Sequence, residues 1–386
     1  MTNEHAVSTP AINYKSIKFF EGLNALRFFA AFLVVIHHAE TIRRKNGLFN
    51  FESFSLFQNG GNAVNFFFVL SGFLITYLLL KENDQTKDIS IRNFYLKRVL
   101  RIWPLYFLLV ALGTLILPVV FKWLNIDYVF PYTFGESWYY FVFFVPALVT
   151  YYFGTHLLQP LWSIGVEEVF YLIWAPLLKF LKRHLLALLL ILLAVKLSIN
   201  FWVYPLGDKN LLHYMVSNCF TFEDMIIGGL GAWFLFHTKK DISRLYIYRK
   251  PFQIVLYGLL FTFILFDKNI AWTPWNIVFH TPVFNKMVYD CLFLYLIVGV
   301  SLNRNNLFKI KSKRLSYLGE ISYGIYMYHV MIIFGIVLLL KSRLAEMNGW
   351  LASLIFFTIL TAGVIIVSAC SKKWFEDYFL KLKKRL

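Results

Sequence analysis

Stretches of about 18 or more residues with almost no charge recur along the whole chain, which is the length a helix needs to cross a bilayer at 1.5 Å per residue. Composition agrees: of 386 residues, 59% are hydrophobic, 20% aromatic and only 15% charged. That is more apolar surface than a soluble core absorbs. A polar segment precedes the first apolar run, which lacks a small-residue cleavage site, so the expectation is that it stays in the protein as its first helix. The three cysteines, Cys219, Cys291 and Cys370, lie in apolar segments with no ligand spacing, so no metal site is expected.

Reading apolar runs between charged loops places spans near 22–42, 62–80, 100–121, 161–178, 185–204, 219–237, 252–267, 287–302, 320–340 and 350–371. An eleventh run, Ser137–Tyr152, is short, carries Pro146 and is almost wholly aromatic, so it could span, re-enter or lie in the interface. The basic residues decide the arrangement, because short cytoplasmic loops are enriched in lysine and arginine. With the amino end inside and 137–152 not crossing, most of the 38 basic residues fall on the cytoplasmic side. The expected fold is therefore an all-α, polytopic transmembrane bundle of about ten spans, with both termini cytoplasmic, in the cell (inner) membrane. Residues 1–21 form a cytoplasmic segment, 22–371 the transmembrane domain and 372–386 a basic cytoplasmic tail. The net charge of +17 belongs to this topology and not to nucleic-acid binding, which would need a basic soluble module. No internal repeat of the kind seen in many transporters is evident.

A charge inside a span costs at least ~2.5 kcal/mol, so each one is a functional candidate. In the first helix, Arg27 and His38 stand on nearly the same face, about 16 Å apart in depth, with Arg27 toward the inner surface; His37 points elsewhere. A snorkelling arginine and a helix-capping histidine would give the same pattern. Arg98 and Arg101, in KRVLRIWP, share a face at the cytoplasmic start of the third span, where guanidinium forks suit phosphate but also serve as a positive-inside anchor. In LWSIGVEEVFYLIW, Ser163, Glu167 and Tyr171 recur at i, i+4, i+8, and Glu168 turns away. Entering from outside, this helix would bring Glu167 close to the depth of His38, where a carboxylate would orient the imidazole, or would make an interhelical contact only. NFFFVLSGFLIT sets Asn65, Gly72 and Thr76 on one face, with small Ser71 and Gly72 permitting close approach. SYGIYMYHV aligns Ser322, Tyr326 and His329.

Taken together and in this order, the Arg27–His38 spacing, FFFVLSGFLIT, the RVLR pair, LWSIGVEEVFYLIW and SYGIYMYHV resemble the acyltransferase family 3 membrane proteins over nearly the whole chain. The resemblance implies a ten-helix bundle that uses cytoplasmic acyl-CoA, such as acetyl-CoA, and acylates a glycan or glycolipid at or beyond the membrane. It carries over His38 as the catalytic histidine, Arg27, Arg98 and Arg101 as donor-binding residues, and Glu167 as the glutamate before the aromatic pair. Asn65, Ser71, Tyr171, Tyr326 and His329 are the substrate-lining candidates. The family often has an aspartate where this chain has Asn65, so a second carboxylate is not expected there. The hydrolase-like domain fused to some members is not expected in this chain, and a second transfer step would then need another protein. A transporter or flippase remains the rival reading, since intramembrane charges also mark transport pathways.

Overall fold

A lipid bilayer offers no partner for a free backbone N–H or C=O, and helices satisfy both internally. The computed structural model describes residues 14–266 and 282–383, and these fold into a helical bundle with no strand among them. The first thirteen residues of the amino-terminal segment, the end of the 252–267 span at residue 267 and the last three residues of the tail lie outside the described residues.

The helices are α1 (Leu23–Lys45), α2 (Gly60–Thr86), α3 (Ile91–Ala111), α4 (Leu117–Trp123), α5 (Phe134–Val142), α6 (Ala147–Phe153), α7 (Leu161–Leu181) and α8 (Leu185–Val203). They continue as α9 (Leu211–Asn218), α10 (Glu223–His237), α11 (Lys250–Phe266), α12 (Pro282–Leu302), α13 (Lys313–Glu320), α14 (Ser322–Glu346), α15 (Gly349–Ser371) and α16 (Asp377–Lys383). Among the described residues, eight stretches are long and apolar enough to cross a membrane, one of them being residues 161–206, which is α7 and α8 together. The two reverse direction at the turn Lys182–His184. Lys179 and Lys182 tie the end of α7 to the α2–α3 loop through Asp88 and Asn83 (2.8 and 2.7 Å), while beyond α8 the Lys209 carbonyl accepts from Tyr151 of α6 (2.7 Å). Lys179 also holds the Asp88 carboxyl below the usual carboxylate range. With that pair counted as two and the 17-residue α11 included, the ten expected spans are all helical. The chain is a multi-pass membrane protein.

Several boundaries differ from the sequence reading. The third span starts at Ile91, where Ser90 caps the helix by accepting from Asn93 N, and it continues through a π-turn at Leu112–Ile116 into α4. The 219–237 span begins only at Glu223. Past Ser371 the tail stays helical as far as Lys383. The ambiguous run 137–152 is a short helical hairpin: α5 and α6 are 9 and 7 residues long, and Tyr132 before them hydrogen-bonds His156 after them (2.9 Å). At their apex Phe144, with φ 55°, packs between Trp103, Tyr106 and Phe107 of α3.

Helices α2 and α10 cross at backbone contact. A Cβ on Gly72 would collide with the Met225 carbonyl, and one on Gly228 with the Val69 carbonyl, so the two backbones touch directly. This is the small-residue packing that membrane helices use in place of a hydrophobic driving force. Gly228→Val is expected to cost about 1–3 kcal/mol by overpacking, seen as a lower melting temperature of the detergent-purified protein; an unchanged melting curve would refute the direct contact.

Candidate functional site

Basic residues crowd one end of the bundle, here called the basic end, and a cavity of about 170 Å³ reaches inward from near it. Its wall is built from α1, α2, α3, α7, α13 and α14, and it gathers residues from all five sequence motifs: Arg27, Ser71, Arg98, Arg101, Ser163, Glu167, Tyr171, Ser322 and Tyr326. Residues more than 290 positions apart thus face one space.

Each arginine arrives there for a local reason. Arg27 is one turn into α1, where its Nη1 donates to Asn24 Oδ1 (3.3 Å). Arg98 lies over the rings of Phe94 and Tyr171, its guanidinium carbon 5.7 and 5.6 Å from their centroids. Among the described residues, none of Arg27, Arg98 and Arg101 is within ion-pair distance of a carboxylate, and the buried Arg98 Nε has no hydrogen bond. Three guanidinium groups converge without an anion to neutralise them, an arrangement suited to phosphate. Glu167 is a counter-charge that acts on all three through space. Its Oε2 accepts from Tyr171 Oη (2.8 Å), and Tyr171 in turn is hydrogen-bonded to Ser71 Oγ.

His38 stands apart from this group. The expected pairing of His38 with Glu167 is not made: the imidazole lies against His329 of α14, with Nδ1 3.0 Å from His329 Nε2 and 3.2 Å from Val34 O. The reason is the depth at which α7 begins. Its first turn is buried inside the bundle, where Tyr326 Oη donates to Pro160 O (3.1 Å) and contacts Ser163 Oγ (2.8 Å), so Glu167 sits about 9 Å farther toward the basic end. His329 follows Tyr326 by one turn in the other direction. The Tyr326–Ser163–Pro160 contact, with Phe67 against the Tyr326 ring, forms the floor of the arginine cavity, and the histidine pair lies beyond it.

The tautomers follow from these partners. His329 Nδ1 lies 2.5 Å from the Tyr326 carbonyl, which can only accept, so that nitrogen carries the proton and Nε2 presents a lone pair. His38 must then donate from Nδ1, leaving its Nε2 unprotonated and available as a base. His37 is occupied elsewhere, 2.8 Å from Phe57 O. Asn65 is half-buried on α2 and is not part of the cavity wall. Glu168, set aside in the sequence, accepts from Trp103 Nε1 (2.8 Å). The sequence reading missed Gly319, Glu320 and Tyr323 in the cavity wall; Gly319 meets the Asn24 backbone so closely that a Cβ would not fit. Among the described residues no group of His, Cys, Asp and Glu is arranged to hold a metal ion.

The family model described as an acyltransferase domain matches residues 20–371. The chain belongs to acyltransferase family 3. Its similarity to individual family members is more distant: it is 26% identical over 339 residues to O-acetyltransferase OatA of Staphylococcus aureus strain NCTC 8325 / PS 47, and equally to that of strain COL, covering 82% of this chain. The chain spans about half the length, 51%, of those curated relatives. No solved structure matches it. The matched residues, 20–371, include every side chain of the arginine cavity and the histidine pair of this family 3 member.

Tyr171 holds Ser71 and Glu167 together, so Tyr171→Phe should leave a buried carboxylate oxygen without its donor. The expected loss of stability is about 1–3 kcal/mol, read by thermal unfolding in detergent, and it should be non-additive with Ser71→Ala; full additivity would mean that the chain of hydrogen bonds is not formed.

Proposed function

We propose that this protein is an integral membrane O-acyltransferase that moves an acyl group, acetyl being the best-supported one, from acyl-CoA to a hydroxyl of a glycan or glycolipid. The observation that carries this reading is the convergence of Arg27, Arg98 and Arg101, unneutralised, on one cavity whose far wall adjoins a histidine with a free Nε2. The coenzyme's phosphates would rest on the arginines, and its pantetheine arm would extend past Glu167 and Tyr171 to bring the thioester toward Tyr326. In this reading the basic end is cytoplasmic and the acceptor comes from the other side of the cell membrane. Family membership favours an enzyme over a transporter, and the O-acetyltransferase name of the curated relatives favours acetyl transfer to oxygen.

In the step itself, His38 Nε2 takes the acceptor's hydroxyl proton as the oxygen attacks the thioester carbonyl carbon. The C–S bond then breaks, and the proton passes to the departing thiolate, giving the ester and free coenzyme A. His329 positions His38: its Nε2 accepts from Nδ1–H both before and after His38 is protonated. Glu167 serves the donor end, balancing the arginines and holding Tyr171.

Two variants separate these roles. His38→Gln should insert and bind acyl-CoA but transfer roughly 10²- to 10⁴-fold more slowly, the range for a lost general base; a parental rate would end the proposal for His38. His329→Leu should lower kcat with little change in donor KM, and His329→Gln, whose amide oxygen can accept from Nδ1–H, should recover part of it.

Replacing Arg98 and Arg101 together by lysine keeps the charge and removes the fork. Donor affinity, measured by isothermal titration with acyl-CoA, should fall about ten-fold or more, corresponding to roughly 1.4 kcal/mol. Unaltered affinity would make the pair a topological anchor only.

A further inference from the structure

Five ionisable side chains that the transfer step does not use are packed between α8, α10 and α12, at the end of the bundle away from the basic one. Asp224 and Asp290 are fully buried, and Lys196 and Glu223 nearly so, with Lys286 beside them. Burying such groups is costly unless partners compensate. Compensation here is uneven. Glu223 Oε1 accepts from Lys286 Nζ (2.8 Å), Asn200 Nδ2 (3.1 Å) and Thr221 Oγ1 (3.3 Å), whereas Oε2 of the same carboxylate has only the Lys196 ammonium at 3.5 Å and no hydrogen bond among the described residues. His213 of α9, 7% exposed, likewise has no hydrogen bond to Nδ1, the exposed Asp208 Oδ1 standing 3.4 Å away.

Both of these unsatisfied side chains line a cavity of about 160 Å³, together with Asn200, Tyr204, Ser217 and Lys286. Buried polar atoms are rarely left without partners, and here a carboxylate oxygen and a ring nitrogen without partners face one small space with an aromatic ring at its edge. A sugar ring matches that set, with hydroxyls that donate and accept at close spacing and an apolar face for Tyr204. The buried cluster behind the cavity holds three carboxyls, Glu223, Asp224 and Asp290, against two lysines, Lys196 and Lys286, which disfavours an anion.

We infer that this cavity is a binding subsite for one uncharged sugar ring of the acceptor, with Glu223 Oε2 accepting from a ring hydroxyl and His213 Nδ1 hydrogen-bonding to another. The inference rests on the proposed reading that the acceptor carries a glycan. The subsite is formed by α8, α9, α10 and α12, while His38 is on α1 against α14, so the ring held here is not the one acylated. Its binding energy anchors a longer acceptor while another ring reacts.

Ser217 is exposed on the cavity wall and makes none of the ion pairs. Ser217→Cys, in the full chain carrying Cys291→Ala and Cys370→Ala, would be labelled by a thiol reagent in detergent with and without millimolar methyl glucoside or methyl N-acetylglucosaminide. The inference expects at least one glycoside to slow labelling several-fold, while inorganic phosphate does not. Equal labelling rates with and without both glycosides, or protection by phosphate alone, would overturn it. This assay needs no donor and no turnover, so it stands or fails separately from the transferase reading. In the transfer assay, Ser217→Tyr should fill the cavity and raise the acceptor KM several-fold with donor KM unchanged; an unchanged acceptor KM would also overturn the subsite.

Discussion

Three guanidinium groups held in a membrane bundle with no carboxylate in ion-pair contact among the described residues are the constraint around which the rest of this structure is arranged. Charge in hydrocarbon is expensive, and it persists where water or a charged ligand reaches it. Arg27 comes from α1, Arg98 and Arg101 from α3, and the walls between them from α2, α7, α13 and α14. Holding six helices around one cavity requires close backbone approach, and the glycines at α2–α10 and at Gly319 against Asn24 allow it. The tyrosine of the same site couples its chemistry to its packing: Tyr171 stacks under Arg98 and donates to Glu167.

The second determinant is the depth at which α7 begins. The α5–α6 hairpin leads the chain into the bundle before Pro160, whose carbonyl receives Tyr326 Oη. This displaces Glu167 toward the arginines and leaves His329 as the neighbour of His38. A single barrier of Tyr326, Ser163 and Phe67 therefore separates a phosphate-seeking cavity from an imidazole pair. In the proposed reaction that separation divides donor recognition from proton transfer, and the thioester crosses the barrier while the phosphates stay behind.

Much of this was legible in the sequence. Apolar length located the spans, and motif residues 27, 71, 98, 101, 163, 167, 171 and 326 do line one cavity, because helical periodicity fixes which residues share a face. What periodicity does not carry is the vertical offset between helices. Glu167 was placed near His38 by assuming that α7 starts at the membrane surface, and a buried start moved it by more than a turn. The His38–His329 pairing was equally hidden, since it joins helices 291 positions apart; the i, i+4, i+7 stripe of Ser322, Tyr326 and His329 marked only the face. The buried pair Glu40–Arg43, which with Ser353 pins the end of α1 to α15 (2.7 and 2.5 Å), lies in a run of charge at the helix terminus, and spacing alone does not distinguish it from the exposed Arg44 and Lys45 beside it.

The account claims that donor and acceptor meet across this barrier from opposite ends of the bundle. Proteoliposomes with uniformly oriented protein, labelled acetyl-CoA confined to one side and a glycan acceptor confined to the other, test that directly. The account predicts labelled acceptor only when acetyl-CoA bathes the basic end. Acylation that requires donor and acceptor on the same side, or that proceeds with acetyl-CoA on the opposite side alone, would contradict it.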